Sequence, residues 1–200
     1  MKQNFQTLLN HVLQTEGGFV NDPRDPGGMT NHGVTKEVWE AFVGHSVDED
    51  DMRALTSSDV APVYKANYWD KVSGDALPDG VDYAVFDFAV NSGIKEAAMV
   101  LQQIVGVETD GSIGPKTLAA LADHVPAEVV IKVCDTRQHF LEHLTTFAIY
   151  GHGWTTRIAN VKALSIQMAL HPSEAAVEPE VAQIDPLTEV PAVEETDLLG

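Results

Sequence analysis

Apolar residues recur at helical spacing along most of this chain. In the first segment, Phe5, Leu8, Leu9, Val12 and Leu13 repeat every three to four residues, which predicts an amphipathic helix over residues 4 to 16. Similar stripes predict further helices that begin near residues 35, 57, 79, 95, 116, 126 and 154. The only strand pairing that the pattern allows is a small ribbon between residues 19 and 34. We therefore predict an all-α fold.

Two further segments differ in their apolar pattern: one lacks a stripe and the other has one. The segment SVDEDDMRAL is rich in acids and is interpreted as a connector. In the last predicted helix, residues 154 to 170, an apolar face carries Ile158, Val161, Ser165 and Met168. Arg157 and Lys162 fall outside that face, which predicts that they lie away from the core.

Composition separates a globular body from an acidic tail. The chain has 200 residues, 44% of them hydrophobic, and a net charge of −18. Eight of the acids lie in residues 173 to 200, where Pro is frequent and helical periodicity is lost, so we predict that the tail is disordered. The body remains acidic, and because it would repel phosphates we expect no nucleic-acid partner.

Other classes are disfavoured by single features. Cys134 is the only cysteine and lies in an apolar helical run, which indicates a buried structural thiol. No secretory signal and no apolar run of about 18 residues is recognised, so we expect cytoplasmic synthesis without stable membrane insertion. His139 and His143 are spaced i,i+4 on a helix, but no third ligand is evident, and we expect no metal and no cofactor.

The stretch from Thr15 to Thr35 is the strongest candidate for chemistry. It places Glu16 at the end of the first helix, followed by two glycines and a loop dense in Asn, Asp, Pro and Gly. Such loops have special backbone geometry and often carry function. A structural turn with solvated acids is the alternative interpretation.

Five motifs carry a resemblance to a known family. The motifs are EGGFVNDPRDPGGMTNHGVT, YWDKV, FDFAVNSG, VGVETDGSIGPKTL and GHGWTTRI. With them the chain resembles glycoside hydrolase family 108, the N-acetylmuramidase endolysins of phages and related secretion activators, over roughly residues 5 to 168. The resemblance implies a lysozyme-like fold with two lobes around a cleft: a catalytic lobe over residues 1–94, a helical peptidoglycan-binding lobe over 95–171 and the acidic tail over 172–200.

The resemblance also implies catalytic roles. Glu16 would be the proton donor, Asp25 the second carboxylate and Thr30 a residue that positions water, with Asp22 as a rival of Asp25. A glycosidase needs an acid for the leaving oxygen and a second group that supports the oxocarbenium-like transition state or activates water. Retention or inversion depends on the carboxylate separation and stays open at this point.

Five residues are candidates for binding the glycan. Aromatic faces stack on sugars and amides bond N-acetyl groups, whereas each of these residues could instead serve the core or the loop. The candidates are His32, Tyr68, Trp69, Asn91 and Ser92.

The expected function is hydrolysis of the β-1,4 bond between N-acetylmuramic acid and N-acetylglucosamine in peptidoglycan. The alternatives are a lytic transglycosylase and a non-hydrolytic wall-binding accessory to protein or toxin secretion. We expect a monomer that acts on glycan strands of the wall and depends on a holin or a secretion system for release.

Overall fold

The computed structural model describes residues 4–21 and 28–172, and helices dominate these residues. A two-stranded antiparallel hairpin is the only sheet in the described part of the chain. The prediction of an α-dominated fold with a small ribbon is confirmed. The helices are α1 (Asn4–Glu16), α2 (Lys36–Val43), α3 (Glu49–Ala54), α4 (Ser57–Tyr64), α5 (Val81–Ser92), α6 (Ile94–Val105), α7 (Pro115–Leu121), α8 (Pro126–Glu142) and α9 (Phe147–Leu170), and the strands are β1 (Thr30–Asn31) and β2 (Val34–Thr35).

Helix α5 lies at the centre of the fold. All twelve of its residues are buried, and α6, α8 and α9 pack around it. A helix that is apolar on every face is stable only inside the protein, because burial of its whole circumference supplies the stabilisation. The two charged residues on this helix, Asp82 and Asp87, therefore have to find partners in the interior.

The first helix packs its predicted stripe against this core. Leu8, Leu9, Val12 and Leu13 are buried. The Phe5 ring lies 5.4 Å from that of Trp69, which adds an aromatic contact to the burial. The helix ends at Glu16, and Gly17 follows with a φ of 78°. Glycine adopts this left-handed conformation without steric cost, so the chain can turn away directly after Glu16.

The hairpin between β1 and β2 has a two-residue turn. Asn31 pairs with Val34, and the turn residues His32 and Gly33 have φ values of 50° and 70°. Two successive positive φ values are typical of the tight turn whose twist matches that of the strands. Thr35 then caps α2, because its side chain accepts a hydrogen bond from Val38 N.

The hairpin is fixed to the helices by side chains. Asn31 is buried, and its Nδ2 donates to Met52 O of α3 at 2.8 Å. Tyr64 of α4 donates its hydroxyl to His32 O at 3.0 Å. Beyond α4 the chain continues through a π-helical turn, Lys65–Trp69, and a short 3-10 turn, Gly74–Ala76.

Two element predictions differ from the structure. The acidic segment interpreted as a connector contains α3, where Asp48 and Asp51 form a reciprocal capping box and Met52 is buried. Helix α9 begins at Phe147 rather than at residue 154. Gly151 permits this, since a Cβ there would lie only 2.8 Å from the Phe147 ring.

The predicted division into a lobe over residues 1–94 and a lobe over 95–171 stays a prediction. Its boundary lies in the first turn of α6. The tail, predicted to be disordered, lies outside the described residues. No helix within residues 4–21 and 28–172 is long and apolar enough to cross a membrane.

Candidate active site

Glu16 lies at the edge of the protein interior and faces a buried arginine. Only 13% of its side chain is exposed, and its Oε1 lies 2.7 Å from Nη1 of Arg157 on α9. The N–H direction is not aligned with the acceptor, so this is a charge contact and not a straight hydrogen bond. A carboxylate so close to the end of its own helix is thus oriented by a residue 141 positions later in the chain.

Arg157 belongs to a buried cluster of charges around Asp87. Its Nε donates to Asp87 Oδ1 at 3.0 Å, and its Nη2 lies 2.9 Å from the same oxygen. Arg137 of α8 donates from Nη1 to Asp87 Oδ2 at 2.6 Å and from Nη2 to Asn91 Oδ1 at 2.9 Å. Two arginines therefore hold one aspartate in the centre of the fold, and one of them also reaches Glu16.

The pKa directions of Asp87 and Arg157 both favour the ionised form. Burial alone would raise the pKa of Asp87, but the charges of Arg157 and Arg137 outweigh it and lower the pKa. Burial likewise opposes the charged form of Arg157, yet the nearby carboxylates of Asp87 and Glu16 raise its pKa above the ordinary value. A buried ion pair needs such geometry, because neither charge could remain there alone.

Two tyrosines lie near the Glu16 carboxylate. Burial and then the Glu16 charge raise the pKa of Tyr64 well above its usual value. The same two causes, in the same order, raise the pKa of Tyr68. Both phenols therefore stay protonated at neutral pH; the Tyr64 hydroxyl donates to His32 O at 3.0 Å. Their rings lie 5.6 Å apart.

The hairpin turn approaches Glu16 closely. A Cβ placed on Gly33 would lie 3.2 Å from Glu16 Cβ and 3.2 Å from Glu16 Oε2, and it would overlap the Tyr64 hydroxyl. Oε2 is thus the carboxylate oxygen on the side of the hairpin, whereas Oε1 faces Arg157. Only a residue without a side chain fits at this turn.

Of the predicted catalytic residues, the structure places Glu16 and Thr30. Thr30 exchanges two backbone hydrogen bonds of 2.9 Å with Val20, four residues after Glu16, and it is half-buried at the start of β1. Asp25 and its rival Asp22 lie outside the described residues.

The predicted glycan-binding residues divide into two groups. His32 and Tyr68 are half-buried beside the site, in the hairpin turn and the π-helical turn. Trp69 is completely buried, with its Nε1 donating to Asp75 Oδ1 at 3.0 Å, so its ring is a core element whose faces are covered by protein.

Asn91 and Ser92 are also interior residues, each 2% exposed. Asn91 Oδ1 accepts hydrogen bonds from Ser92 and from Arg137. In this conformation Asn91 Oδ1 and the Ser92 hydroxyl belong to the buried network, and the contact of these two residues with glycan stays a prediction.

The ring of His139 on α8 meets that of His143, which follows the end of the helix, edge to face with ring centres 4.3 Å apart. Among the residues that the structure describes, no group of three or more His, Cys, Asp or Glu side chains is arranged to hold a metal ion.

Sequence reasoning missed Asp87 and placed Arg157 on the wrong side of its helix. Arg157 is 3% exposed. A usable signal was present on α5: an acid inside the run YAVFDFAV, which is otherwise apolar or aromatic on all faces, requires a buried cation. Which cation supplies the charge depends on tertiary packing and was not visible in the pattern.

Two family models match the chain. The model for glycosyl hydrolase 108 matches residues 9–93, and a model described as a predicted peptidoglycan domain matches residues 96–159. Among solved structures, the chain is similar to the one titled "Structure of Brucella abortus SagA", with 41% sequence identity and a TM-score of 0.73. That match covers 84% of this chain and 97% of the other. No curated protein matches the chain.

Proposed function

This chain belongs to the glycosyl hydrolase 108 family, with a peptidoglycan domain after the hydrolase region, and we propose that it is an N-acetylmuramidase. The proposed reaction is hydrolysis of the β-1,4 bond between N-acetylmuramic acid and N-acetylglucosamine in wall peptidoglycan. The observation that carries this proposal is the Glu16 carboxyl group, which is held by a buried cation on one oxygen and approached by the hairpin turn on the other.

Glu16 is proposed as the general acid. Protonation of the leaving oxygen requires a carboxyl group whose orientation is fixed and whose proton points at the substrate. Because Oε1 is engaged by Arg157, Oε2 is the oxygen left to hold the transferable proton. The hairpin residue Thr30 is proposed to hold a water molecule, and Asp25 is proposed as the carboxylate that completes the pair.

Tyr68 and His32 are proposed to contact the glycan. Both side chains are half-buried. Tyr68 is close enough to Glu16 for the carboxylate charge to raise the pKa of its phenol, after burial as the larger cause. His32 lies in the hairpin turn, where its carbonyl accepts a hydrogen bond from Tyr64. An aromatic ring with a protonated phenol offers one face for stacking on a sugar and one hydrogen bond.

Glu16→Gln tests the assignment of the acid. Glutamine keeps the shape of the side chain and removes the proton, so reducing-end release from purified peptidoglycan should fall by about 100- to 10,000-fold. Glu37→Gln, at an exposed acid in the first turn of α2, is the matched control and should retain wild-type activity. Wild-type release by the Glu16 variant would rule out the proposed acid.

Product analysis separates the alternatives. Mass spectrometry of the digest distinguishes a hydrolysed reducing end from an anhydro end, which contains one water less. An anhydro product would assign the chain to the lytic transglycosylases. Binding to peptidoglycan without any new chain end would favour the non-hydrolytic accessory role.

A further inference from the structure

The peptidoglycan-domain region contributes to the site around Glu16. Glu16 and Asp87 lie in residues 9–93, which match the hydrolase model, whereas Arg137 and Arg157 lie in residues 96–159. All four side chains meet in one charge cluster. We propose that Arg157 is the positioning residue for Glu16 and that the second region therefore takes part in catalysis as well as in any wall binding. This inference rests on the proposed role of Glu16 as the acid.

Arg157 itself has little freedom to move. Its side chain is 3% exposed. Its Nε donates to Asp87 Oδ1 at 3.0 Å and to Asp87 Oδ2 at 3.1 Å. Asp87 in turn is fixed by Arg137 and by its place on the fully buried α5. The guanidinium that faces Glu16 is consequently a rigid element of the core.

Glu16, in contrast, has few other restraints in the described residues. It is the last residue of α1, and the chain turns through Gly17 directly afterwards. Gly33, on the hairpin side, limits the space for the carboxylate but offers no side chain to bind it. The 2.7 Å contact from Arg157 Nη1 to Oε1 is the charged contact that selects one orientation of the carboxyl group.

The division of the two oxygens follows from this contact. A guanidinium has donors only and binds a carboxyl oxygen that carries no proton. With Oε1 held in this way, a proton on Glu16 is confined to Oε2, on the side of the hairpin. The same contact thus sets both the position of the side chain and the direction of its proton, and such geometry has to be held within a fraction of an ångström for efficient transfer.

Arginine is suited to this task in a way that lysine is not. The planar guanidinium presents donors on several edges and can contact Asp87 and Glu16 at the same time, whereas an ammonium is a single point charge on a flexible stem. Arg157→Lys therefore keeps the charge of the cluster but leaves one of the two carboxylates poorly held.

Kinetics with Arg157→Lys test the proposal on the full chain, with soluble glycan strands freed of peptide as the substrate and reducing ends as the readout. We expect kcat to fall about 100-fold while KM stays within twofold, because the glycan contacts remain and only the acid is misplaced. A purely structural role would lower the melting temperature without changing kcat of the folded protein.

Arg137→Lys is the matched control. Arg137 is equally buried and pairs with the same aspartate at 2.6 Å, but its second donor goes to Asn91 at 2.9 Å and not to Glu16. We expect it to lower the melting temperature and to keep kcat within about threefold. If either lysine variant is partly unfolded at the assay temperature, both variants and the wild type are compared at a lower temperature at which all three are folded.

The outcomes separate the inference from the function on which it rests. Equal kcat for the two arginine variants, whether both wild-type or both reduced, would overturn the positioning role. An inactive Glu16→Gln together with a fully active Arg157→Lys would overturn the inference and leave the proposed function intact. An active Glu16→Gln would instead refute the proposed function.

Discussion

Replacing Gly33 by alanine would add one methyl group at the point where the hairpin turn meets Glu16. Its φ of 70° is left-handed, and a non-glycine residue there costs about 1–2 kcal/mol. The new Cβ would also overlap the Tyr64 hydroxyl, which would have to give up its 3.0 Å hydrogen bond to His32 O at a further cost of about 0.5–1.5 kcal/mol. We expect a total loss of about 1.5–3.5 kcal/mol in the free energy of unfolding.

The same methyl group should disturb the proposed acid. It would stand 3.2 Å from both Cβ and Oε2 of Glu16, closer than carbon atoms normally approach, so the carboxyl group has to shift by a few tenths of an ångström. A displacement of this size is expected to reduce kcat by about tenfold.

Gly44→Ala is the control for the backbone term. Gly44 has a φ of 79° at the end of α2, and a Cβ there would meet open space. Both variants are measured by urea unfolding and by reducing-end release. Gly44→Ala should lose only the free energy of unfolding that backbone strain costs and should keep kcat. Gly33→Ala should lose more free energy of unfolding and should also have a reduced kcat. Equal stabilities and equal kcat values would refute the argument from close approach.

Two further substitutions probe the framework around the site. Asp87→Asn should lower the free energy of unfolding at pH 7 by about 3–5 kcal/mol, because two buried arginines lose their counter-charge. Folding lowers the pKa of Asp87, so the stabilisation by its carboxylate is fully present above the ordinary value of 3.8 and is lost as the pH falls through the lowered value. The difference in unfolding free energy between Asp87→Asn and the wild type, measured by urea titration, should therefore shrink in acid. A difference that does not change with pH would contradict this. Asn31→Ala should cost about 1–3 kcal/mol by removing the donor to Met52 O, and an unchanged urea midpoint would show that this bond does not fix the hairpin.

The helical framework was predictable where burial is one-sided. The apolar stripe of Leu8, Leu9, Val12 and Leu13 predicted α1 with the bounds that the structure shows. A helix with one buried face has apolar residues every three to four positions, and this spacing can be recognised in the sequence. Helix α3 was missed because six residues with one buried methionine contain too little period to detect, although its aspartate caps were present.

The candidate site was predictable only in its local part. Glu16 and the hairpin are close in sequence, and their motif places them together. Trp69 was assigned to the cleft because an aromatic residue at helical spacing suits either a sugar platform or the core, and only packing decides. Arg157 contacts Glu16 across 141 positions, and a cation off the apolar stripe of a helix is ordinarily solvated.

The order in which the charged cluster is synthesised has a consequence for the newly made chain. Glu16 and Asp87 leave the ribosome before Arg137 and Arg157, and at about 5–20 residues per second roughly 7–28 s separate residue 16 from residue 157. Until the last arginine arrives, α5 carries an acid that lacks part of its counter-charge. Burial of α5 is therefore favoured only after α9 has been made. A chain that ends before residue 157 also lacks the guanidinium that faces Glu16.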